Sequence, residues 1–139
     1  MTETEKGIHA EKLICNCLCH RGHRAELTPY HWPYDILVAG ICKIEVKYSS
    51  VNEIDGFEFC LPEIPKSDIT ILICEGWKTL IVPTHKIDVQ HLRISRSNKK
   101  YIAYEDKYQL ISDHVHSMNV LSRLNVSDAL KIVRSNYEK

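Results

Sequence analysis

The sequence predicts a single domain of the α/β or α+β class with one central sheet, and three observations support this. The chain of 139 residues has the length of one domain. Its hydrophobic content of 44% and charged content of 26% are ordinary for a globular protein. A helical pattern comes first, a run of strand patterns follows, and helical patterns return at the end. We therefore expect a flexible N-terminus over residues 1–6 and one domain over residues 7–139.

The first predicted element is a helix over Gly7–Leu18 that carries an unexpected carboxylate. Spacings of three and four residues place five side chains on one helical face, namely Ile8, Glu11, Ile14, Cys15 and Leu18. Glu11 interrupts this otherwise apolar stripe. Either it reaches water at the edge of the helix, or it points at a charged site elsewhere in the fold. Gly22 is expected to form the turn after the helix.

The clearest strand signal is a β-hairpin around Gly40. Its two strand patterns are Asp35–Ala39 and Ile41–Tyr48. A three-residue loop centred on Gly40 would place Asp35 directly opposite Glu45. Because side chains alternate along a strand, Glu45 and Lys47 share one face. The hairpin therefore predicts a patch of sheet that carries two carboxylates and one ammonium group.

The remaining predicted elements are short strands followed by helices. The other strands are His23–Leu27, Phe57–Leu61 near the hairpin, Ile69–Cys74 and Lys78–Val82. The run over 69–74 is nearly all apolar, which is typical of a strand buried on both faces. Residues 84–100 are predicted to be irregular with short helical turns. Helices are expected over Tyr101–Ser112 and Asp128–Tyr137, within a basic, helical C-terminal part over about 85–139.

The hairpin residues Asp35, Glu45 and Lys47 are the parts that hydrolysis of a phosphodiester needs. Two neighbouring carboxylates repel each other, which disfavours their pairing unless they share a cation. Mg²⁺ prefers one or two carboxylates together with water and phosphate oxygens. A nearby lysine can orient a water molecule or neutralise a phosphate. From these three residues alone, an exposed strand with alternating charges is an equally good explanation.

Residues 7–84 resemble the PD-(D/E)xK, or restriction-endonuclease-like, nuclease superfamily, in a small branch similar to intron-associated homing endonucleases. The matching pieces are the helix with Gly7-Ile8-His9-Ala10-Glu11, the segment Trp32-Pro33-Tyr34-Asp35, the tripeptide Glu45-Val46-Lys47, and the later strands over Asp68–Pro83. One departure is that Tyr34, not proline, precedes Asp35. The resemblance implies a central mixed β-sheet flanked by helices.

The resemblance also implies a role for each matching residue. Glu11, Asp35 and Glu45 would be metal ligands together with the backbone carbonyl of Val46, and Lys47 would be the catalytic lysine. The cofactor would be Mg²⁺, for which Mn²⁺ would substitute. The implied activity is hydrolysis of phosphodiester bonds in duplex DNA, of the homing or restriction type. A Holliday junction resolvase of the same superfamily and a non-catalytic nucleic-acid-binding module with this fold stay open as alternatives.

The charge of the chain is divided between its two parts. Residues 1–84 hold 8 Lys and Arg against 12 Asp and Glu, whereas residues 85–139 hold 10 against 6. Exposed Lys and Arg supply affinity for the phosphates of DNA. The predicted DNA-binding residues are Lys86, Arg93, Arg96, Lys99 and Lys100. Since cutting two strands needs two sites, we expect a homodimer or a higher homo-oligomer.

Cysteine and histidine residues suggest a second, weaker metal hypothesis. Cys15, Cys17, Cys19, His20 and His23 are close in sequence and are zinc-binding residue types. On a helix, however, the three cysteines do not share a face, which argues against a chelate. Cys42, Cys60 and Cys74 are expected to pack in the core. His114 and His116 are expected to be solvated.

Nothing in the sequence predicts a membrane association. No apolar run approaches the roughly 18–20 residues that span a bilayer. The start, Met1–Lys6, is acidic and polar and does not resemble a signal peptide. We therefore expect an intracellular, cytoplasmic protein with DNA as its partner.

Overall fold

The computed structural model describes residues 1–51, 56–97, 99–122 and 126–137. Three helices lie in these ranges, α1 (Glu3–His20), α2 (Gln109–Leu121) and α3 (Val126–Tyr137). The strands are β1 (Ala25–Leu27), β2 (Ile36–Val38), β3 (Cys42–Ser49), β4 (Gly56–Cys60), β5 (Ile69–Cys74), β6 (Lys78–Pro83) and β7 (His91–Ser95). Short 3-10 turns cover Thr84–Lys86 and Ile102–Tyr104.

Helix α1 begins earlier than the sequence pattern predicts. The side chain of Thr2 accepts a hydrogen bond from the backbone N–H of Glu5 at 3.1 Å, which caps the helix. Glu3 and Glu5 in the first turn also complement the positive end of the helix dipole. Residues 3–6, which the sequence assigned to a flexible segment, are helical for these reasons.

The buried face of α1 differs in part from the predicted stripe. Ala10, Ile14, Cys15 and Leu18 are buried, whereas Ile8 is 45% exposed. Ile8, although part of the predicted stripe, therefore does not lie in the core. The helix continues to His20, two residues beyond the predicted Leu18. Gly22 forms the predicted turn, because its φ of 92° turns the chain towards β1.

Five strands form a mixed central sheet in the order β1-β2-β3-β5-β6. β3 and β5 run parallel, and the other neighbours are antiparallel. Helices α1 and α2 pack on one face of this sheet. The α/β class, with a mixed central sheet flanked by helices in a single domain, is confirmed. β3 is the middle strand and is hydrogen-bonded to a neighbouring strand on each side.

The hairpin of β2 and β3 has the predicted register. Ile36 pairs with Ile44, so the same register one residue earlier places Asp35 opposite Glu45. The loop is three residues long and centred on Gly40, whose φ of 68° lies in the left-handed region. The length of this turn sets the register, and a shift of one residue would place a different side chain opposite Glu45.

The strands β4 and β7 form a separate two-stranded antiparallel sheet. Its alternate residues are buried against the central-sheet face opposite α1, and they are Phe57, Phe59, Leu92 and Ile94. Phe57–Leu61 lies near the hairpin as predicted, since the N–H of Glu58 donates to Oγ of Ser49 at 3.1 Å. Residues 84–100 are not all irregular, because burying the apolar side of His91–Ser95 favours a strand.

Among the described C-terminal residues, α-helix begins at Gln109. The predicted helix over Tyr101–Ser112 is instead a 3-10 turn followed by α2, which continues to Leu121. The last helix, α3, begins at Val126, close to the predicted start. Within the described ranges, no helix is both long enough and apolar enough to cross a membrane.

Candidate functional site

Backbone and side-chain hydrogen bonds hold Asp35 at the start of β2. Its N–H donates to the carbonyl of Ile44 at 2.9 Å, and its carbonyl accepts from the N–H of Thr28 at 3.0 Å. Its Oδ2 accepts from the N–H of Val46 at 2.8 Å. The hydroxyl of Thr28 also donates to the carbonyl of Tyr34, the residue before Asp35. The carboxylate of Asp35 therefore has a defined position beside β3.

Glu45 and Lys47 form an ion pair on one face of β3. The Nζ of Lys47 lies 3.2 Å from Oε1 of Glu45. The side chain of Glu45 is 12% exposed and that of Lys47 is 33% exposed. The central strand therefore shields the carboxylate from water while the ammonium group keeps access to solvent.

Glu11 reaches the hairpin from helix α1. Its carboxyl group lies near that of Asp35, which contributes to the raised pKa of Glu11, and both residues line one surface depression together with Thr28, Tyr30 and Tyr34. Of the two placements that the sequence left open, the structure has the one that faces the charged site. The four predicted catalytic side chains thus come together from α1, β2 and β3, although their roles stay predictions.

The electrostatics of this carboxylate cluster, which we define as Glu11, Asp35 and Glu45, show crowding of negative charge. Burial, the charge of Asp35 and the hydrogen bond with it raise the pKa of Glu11 to about 7. Burial raises the pKa of Glu45 as well, although the nearby Lys47 opposes the increase. Three carboxylates face one ammonium group, so the ionised cluster has an excess of negative charge that a divalent cation would balance.

Aromatic side chains lie in the loop that leads to Asp35. Tyr30 is 100% exposed and Trp32 is 43% exposed. The ring of Trp32 packs edge-on against Tyr34 with 5.8 Å between the centroids. Exposed aromatic rings beside a polar cleft are able to stack on nucleic-acid bases.

A chain of hydroxyl groups near Glu45 escaped the sequence analysis. Thr70 is the cross-strand partner of Glu45. Its Oγ1 lies 2.8 Å from Oγ1 of Thr84, which lies 3.0 Å from Oγ of Ser67. These hydroxyl-bearing residues line a second depression together with Glu45. The available signal was that Thr70 carries the only hydroxyl in the otherwise apolar run Ile69–Cys74.

The five predicted DNA-binding residues are all exposed, namely Lys86, Arg93, Arg96, Lys99 and Lys100. The guanidinium of Arg96 lies 5.8 Å from the ring centre of Phe57, and Nζ of Lys100 lies 3.8 Å from Oδ1 of Asp88. Residues 87–90 of the same segment line the depression next to Glu45. The segment therefore borders the carboxylate cluster, and its contact with DNA stays a prediction.

The cysteines of α1 do not form a shared metal site among the described residues. Cys15 is buried, Cys17 is half-buried and Cys19 is exposed. Cys19 lies one turn after Cys15 and close to it, whereas Cys17 lies on a different side of the helix. Cys42 and Cys74 are buried as predicted, but Cys60 is exposed because it lies on the outer face of β4.

A different group of three potential ligands comes together elsewhere. Ligand atoms of Cys42, Asp68 and His114 all lie within 4.8 Å of one another. The expectation that His114 is solvated was wrong, since its side chain is 8% exposed and its Nε2 lies 3.4 Å from Oδ2 of Asp68. The three residues are far apart in sequence, so no spacing pattern could have identified them.

Comparison with known proteins supports the fold of the chain but does not identify its active-site residues. No protein-family profile matches the sequence, and no curated protein matches it. Among solved structures, the chain is similar to a bacterial homing endonuclease, I-Ssp6803I. The TM-score is 0.71 and the identity is 14%, over 86% of this chain and 98% of the other. The chain therefore has the fold of a nuclease of known structure.

Proposed function

We propose that this protein is a metal-dependent DNA endonuclease whose active site is a PD-(D/E)xK site. The observation that carries the proposal is the convergence of Glu11, Asp35 and Glu45 next to Lys47, from a helix and both strands of one hairpin. The similarity of the fold to a homing endonuclease supports it. The short motif alone would be weak support, because carboxylates and lysines are common on strands.

The carboxylate cluster fits a hard divalent cation. Carboxylate oxygens are the protein ligands that Mg²⁺ prefers, and the cluster offers them from three elements. Burial, together with the neighbouring carboxylates of Asp35 and Glu45, raises the pKa of Glu11, so full ionisation of the cluster is unfavourable without a cation. We propose Mg²⁺ as the cofactor, with Mn²⁺ able to replace it. The residues holding it would be Glu11, Asp35, Glu45 and the carbonyl of Val46.

The protein's own groups have separate roles in this proposal. When bound, the cation would supply positive charge at the scissile phosphate and make an attacking water more acidic. Asp35 and Glu45 would be metal ligands whose relative position is set by the hairpin. Lys47 is partly exposed, so its ammonium group is able to reach a phosphate or to orient the attacking water. Glu11 would release its proton when the cation binds.

DNA would be bound by exposed basic residues of the segment whose residues 87–90 line the depression next to Glu45. Lys86, Arg93, Arg96, Lys99 and Lys100 would contact phosphates and hold the duplex in register without reading its sequence. Because one site cuts one strand, double-strand cleavage would need two copies of the chain. We therefore propose a homodimer or higher homo-oligomer, which light scattering of the purified protein tests directly.

A cleavage panel tests the proposal. The purified protein is incubated with linear duplex, supercoiled plasmid or a four-way DNA junction, each with Mg²⁺, Mn²⁺ or EDTA. We expect cleavage of duplex or plasmid that requires a divalent cation. Preference for the junction would instead identify a resolvase of the same superfamily. DNA binding without cleavage of any substrate would contradict the proposed enzymatic activity. It would indicate that the protein is a non-catalytic DNA-binding module.

A further inference from the structure

A second cluster of metal-ligating residues lies apart from the carboxylate cluster. Cys42 opens β3, Asp68 directly precedes β5, and His114 lies in the middle of α2. Their ligand atoms lie within 4.8 Å of one another. Cys42 belongs to the core beneath α1 and α2, on the opposite face of β3 from Glu45.

The geometry of this cluster is held by the backbone as well as by the side chains. The N–H of Asp68 donates to the carbonyl of Lys43 at 2.8 Å, and Oδ2 of Asp68 accepts from the N–H of Lys43 at 2.9 Å. Nε2 of His114 lies 3.4 Å from the same Oδ2. Cys42 is 0% exposed and is fixed by its pairing with Val38. The ligands are therefore oriented before any ion arrives.

We propose that Cys42, Asp68 and His114 form a Zn²⁺ site that fastens α2 to the ends of β3 and β5. A thiolate, an imidazole and a carboxylate are the three side-chain ligands that Zn²⁺ uses in proteins, at about 2.0–2.3 Å. Ligands of a tetrahedral zinc stand roughly 3.3–3.8 Å apart at those bond lengths. The 3.4 Å between His114 and Asp68 already meets this spacing, and the thiol needs only a small movement.

The environment of the three residues supports this site. A thiol that binds zinc is deprotonated, so coordination by Cys42 would release its proton. Asp68 is 34% exposed and gives the ion and the proton a path to water. The fourth coordination position would lie on this open side.

The ligand chemistry separates this site from the carboxylate cluster. Mg²⁺ selects oxygen ligands, whereas a site with sulfur and nitrogen selects zinc and similar transition metals. The zinc proposal therefore does not depend on the proposed nuclease activity. Its role is structural, because it would connect α2, which packs on the sheet, to β5 and to β3, the strand that carries Glu45.

Titration with Co²⁺, a coloured substitute for Zn²⁺, tests the site in the full chain. The protein is stripped of metal with a chelator and titrated in excess Mg²⁺, which saturates the carboxylate cluster. We expect a thiolate-to-cobalt charge-transfer band that saturates at one equivalent and disappears when Zn²⁺ is added. Zn²⁺ should also raise the midpoint of thermal unfolding of the metal-free protein.

Matched variants assign the signal to these residues. Cys42→Ala should abolish the band, and His114→Gln should weaken binding by about ten-fold or more. Cys74→Ala removes an equally buried thiol outside the cluster, and His116→Gln changes an exposed histidine of the same helix; both should bind as the wild type does. His114→Gln decides the question if Cys42→Ala fails to fold. Absence of the band, or its persistence in both cluster variants, would overturn the proposal.

Discussion

The carboxylate of Asp35 accepts a hydrogen bond from the backbone N–H of Val46, with 2.8 Å between Oδ2 and the nitrogen. Val46 lies between Glu45 and Lys47, so this bond fixes the aspartate against the strand segment that carries the other two charged groups. The bond uses one oxygen of Asp35 and leaves the other to Glu11 or to a cation. A local backbone contact thus sets the spacing of the proposed active site.

Removal of either hairpin carboxylate should abolish cleavage while DNA binding persists. Asp35→Ala or Glu45→Ala deletes a proposed metal ligand, and it also removes negative charge that repels the phosphates. We expect a fall in the cleavage rate of about a hundred-fold or more, with DNA affinity equal to or higher than that of the wild type. Plasmid nicking and a gel-shift titration measure the two quantities. Glu26→Gln, a change at an exposed carboxylate on β1, is the control, and cleavage by Asp35→Ala at the wild-type rate would refute the assignment.

Lys47→Ala should separate catalysis from metal binding. The ammonium group lies 3.2 Å from Glu45 and opposes a cation there, so its removal should leave metal affinity unchanged or increased. Cleavage should nevertheless be strongly reduced, because no group then orients water or neutralises the phosphate. Calorimetry with Mn²⁺ and the nicking assay provide the comparison. Lys43→Ala, an exposed lysine on the same strand, should change neither property; wild-type cleavage by Lys47→Ala would disprove the role.

Glu11 should make the stability of the metal-free protein dependent on pH. Its pKa is about 7 in the folded protein against an ordinary 4.5. Between these two values the folded state keeps a proton that the unfolded state has lost, so stability decreases as the pH rises through this window. Above about pH 7 the loss is complete. Below about pH 4.5 both states are protonated and the effect is absent.

Glu11→Gln tests this linkage. The variant removes the charge, so the free energy of unfolding of the metal-free protein should increase by about 1 kcal/mol at pH 8. This value is smaller than the full pKa shift would give, because solvent partly screens the side chain. Urea unfolding of both proteins at pH 5 and pH 8 gives the difference. The gain should be smaller at pH 5, where folded Glu11 is protonated. An equal gain at the two pH values would show that Glu11 is not titrating in this range.

The exposed basic residues should contribute to DNA affinity in a salt-dependent way. Neutralising Arg93, Arg96, Lys99 and Lys100 should weaken binding to all sequences alike. Each lost phosphate contact should reduce the slope of log K against log salt by about one. The double variant of Lys131 and Arg134, two exposed residues of α3, controls for the general loss of positive charge. Equal slopes for the quadruple variant and the wild type would place the DNA elsewhere.

The sequence predicted those parts of the fold and of the proposed site that depend on residues close to one another in the chain. The turn at Gly40 predicted that Asp35 lies opposite Glu45. The alternation of side chains along β3 predicted that Glu45 and Lys47 share a face. A turn of defined length sets the register of a hairpin, and the strand period of two then assigns every side chain to a face. The apolar run over residues 69–74 likewise identified β5, because a strand covered on both sides is apolar throughout.

Tertiary structure decided what depends on partners distant in the chain. The strand β7 exists because Leu92 and Ile94 bury against β4 and the sheet, a pairing that joins segments more than thirty residues apart. The meeting of Cys42, Asp68 and His114 requires α2 to pack on the ends of two strands, so no sequence spacing encodes it. Periodicity reports which face of an element is apolar, but not which element covers that face. For the same reason, only the packed fold shows that Glu11 reaches Asp35 instead of water.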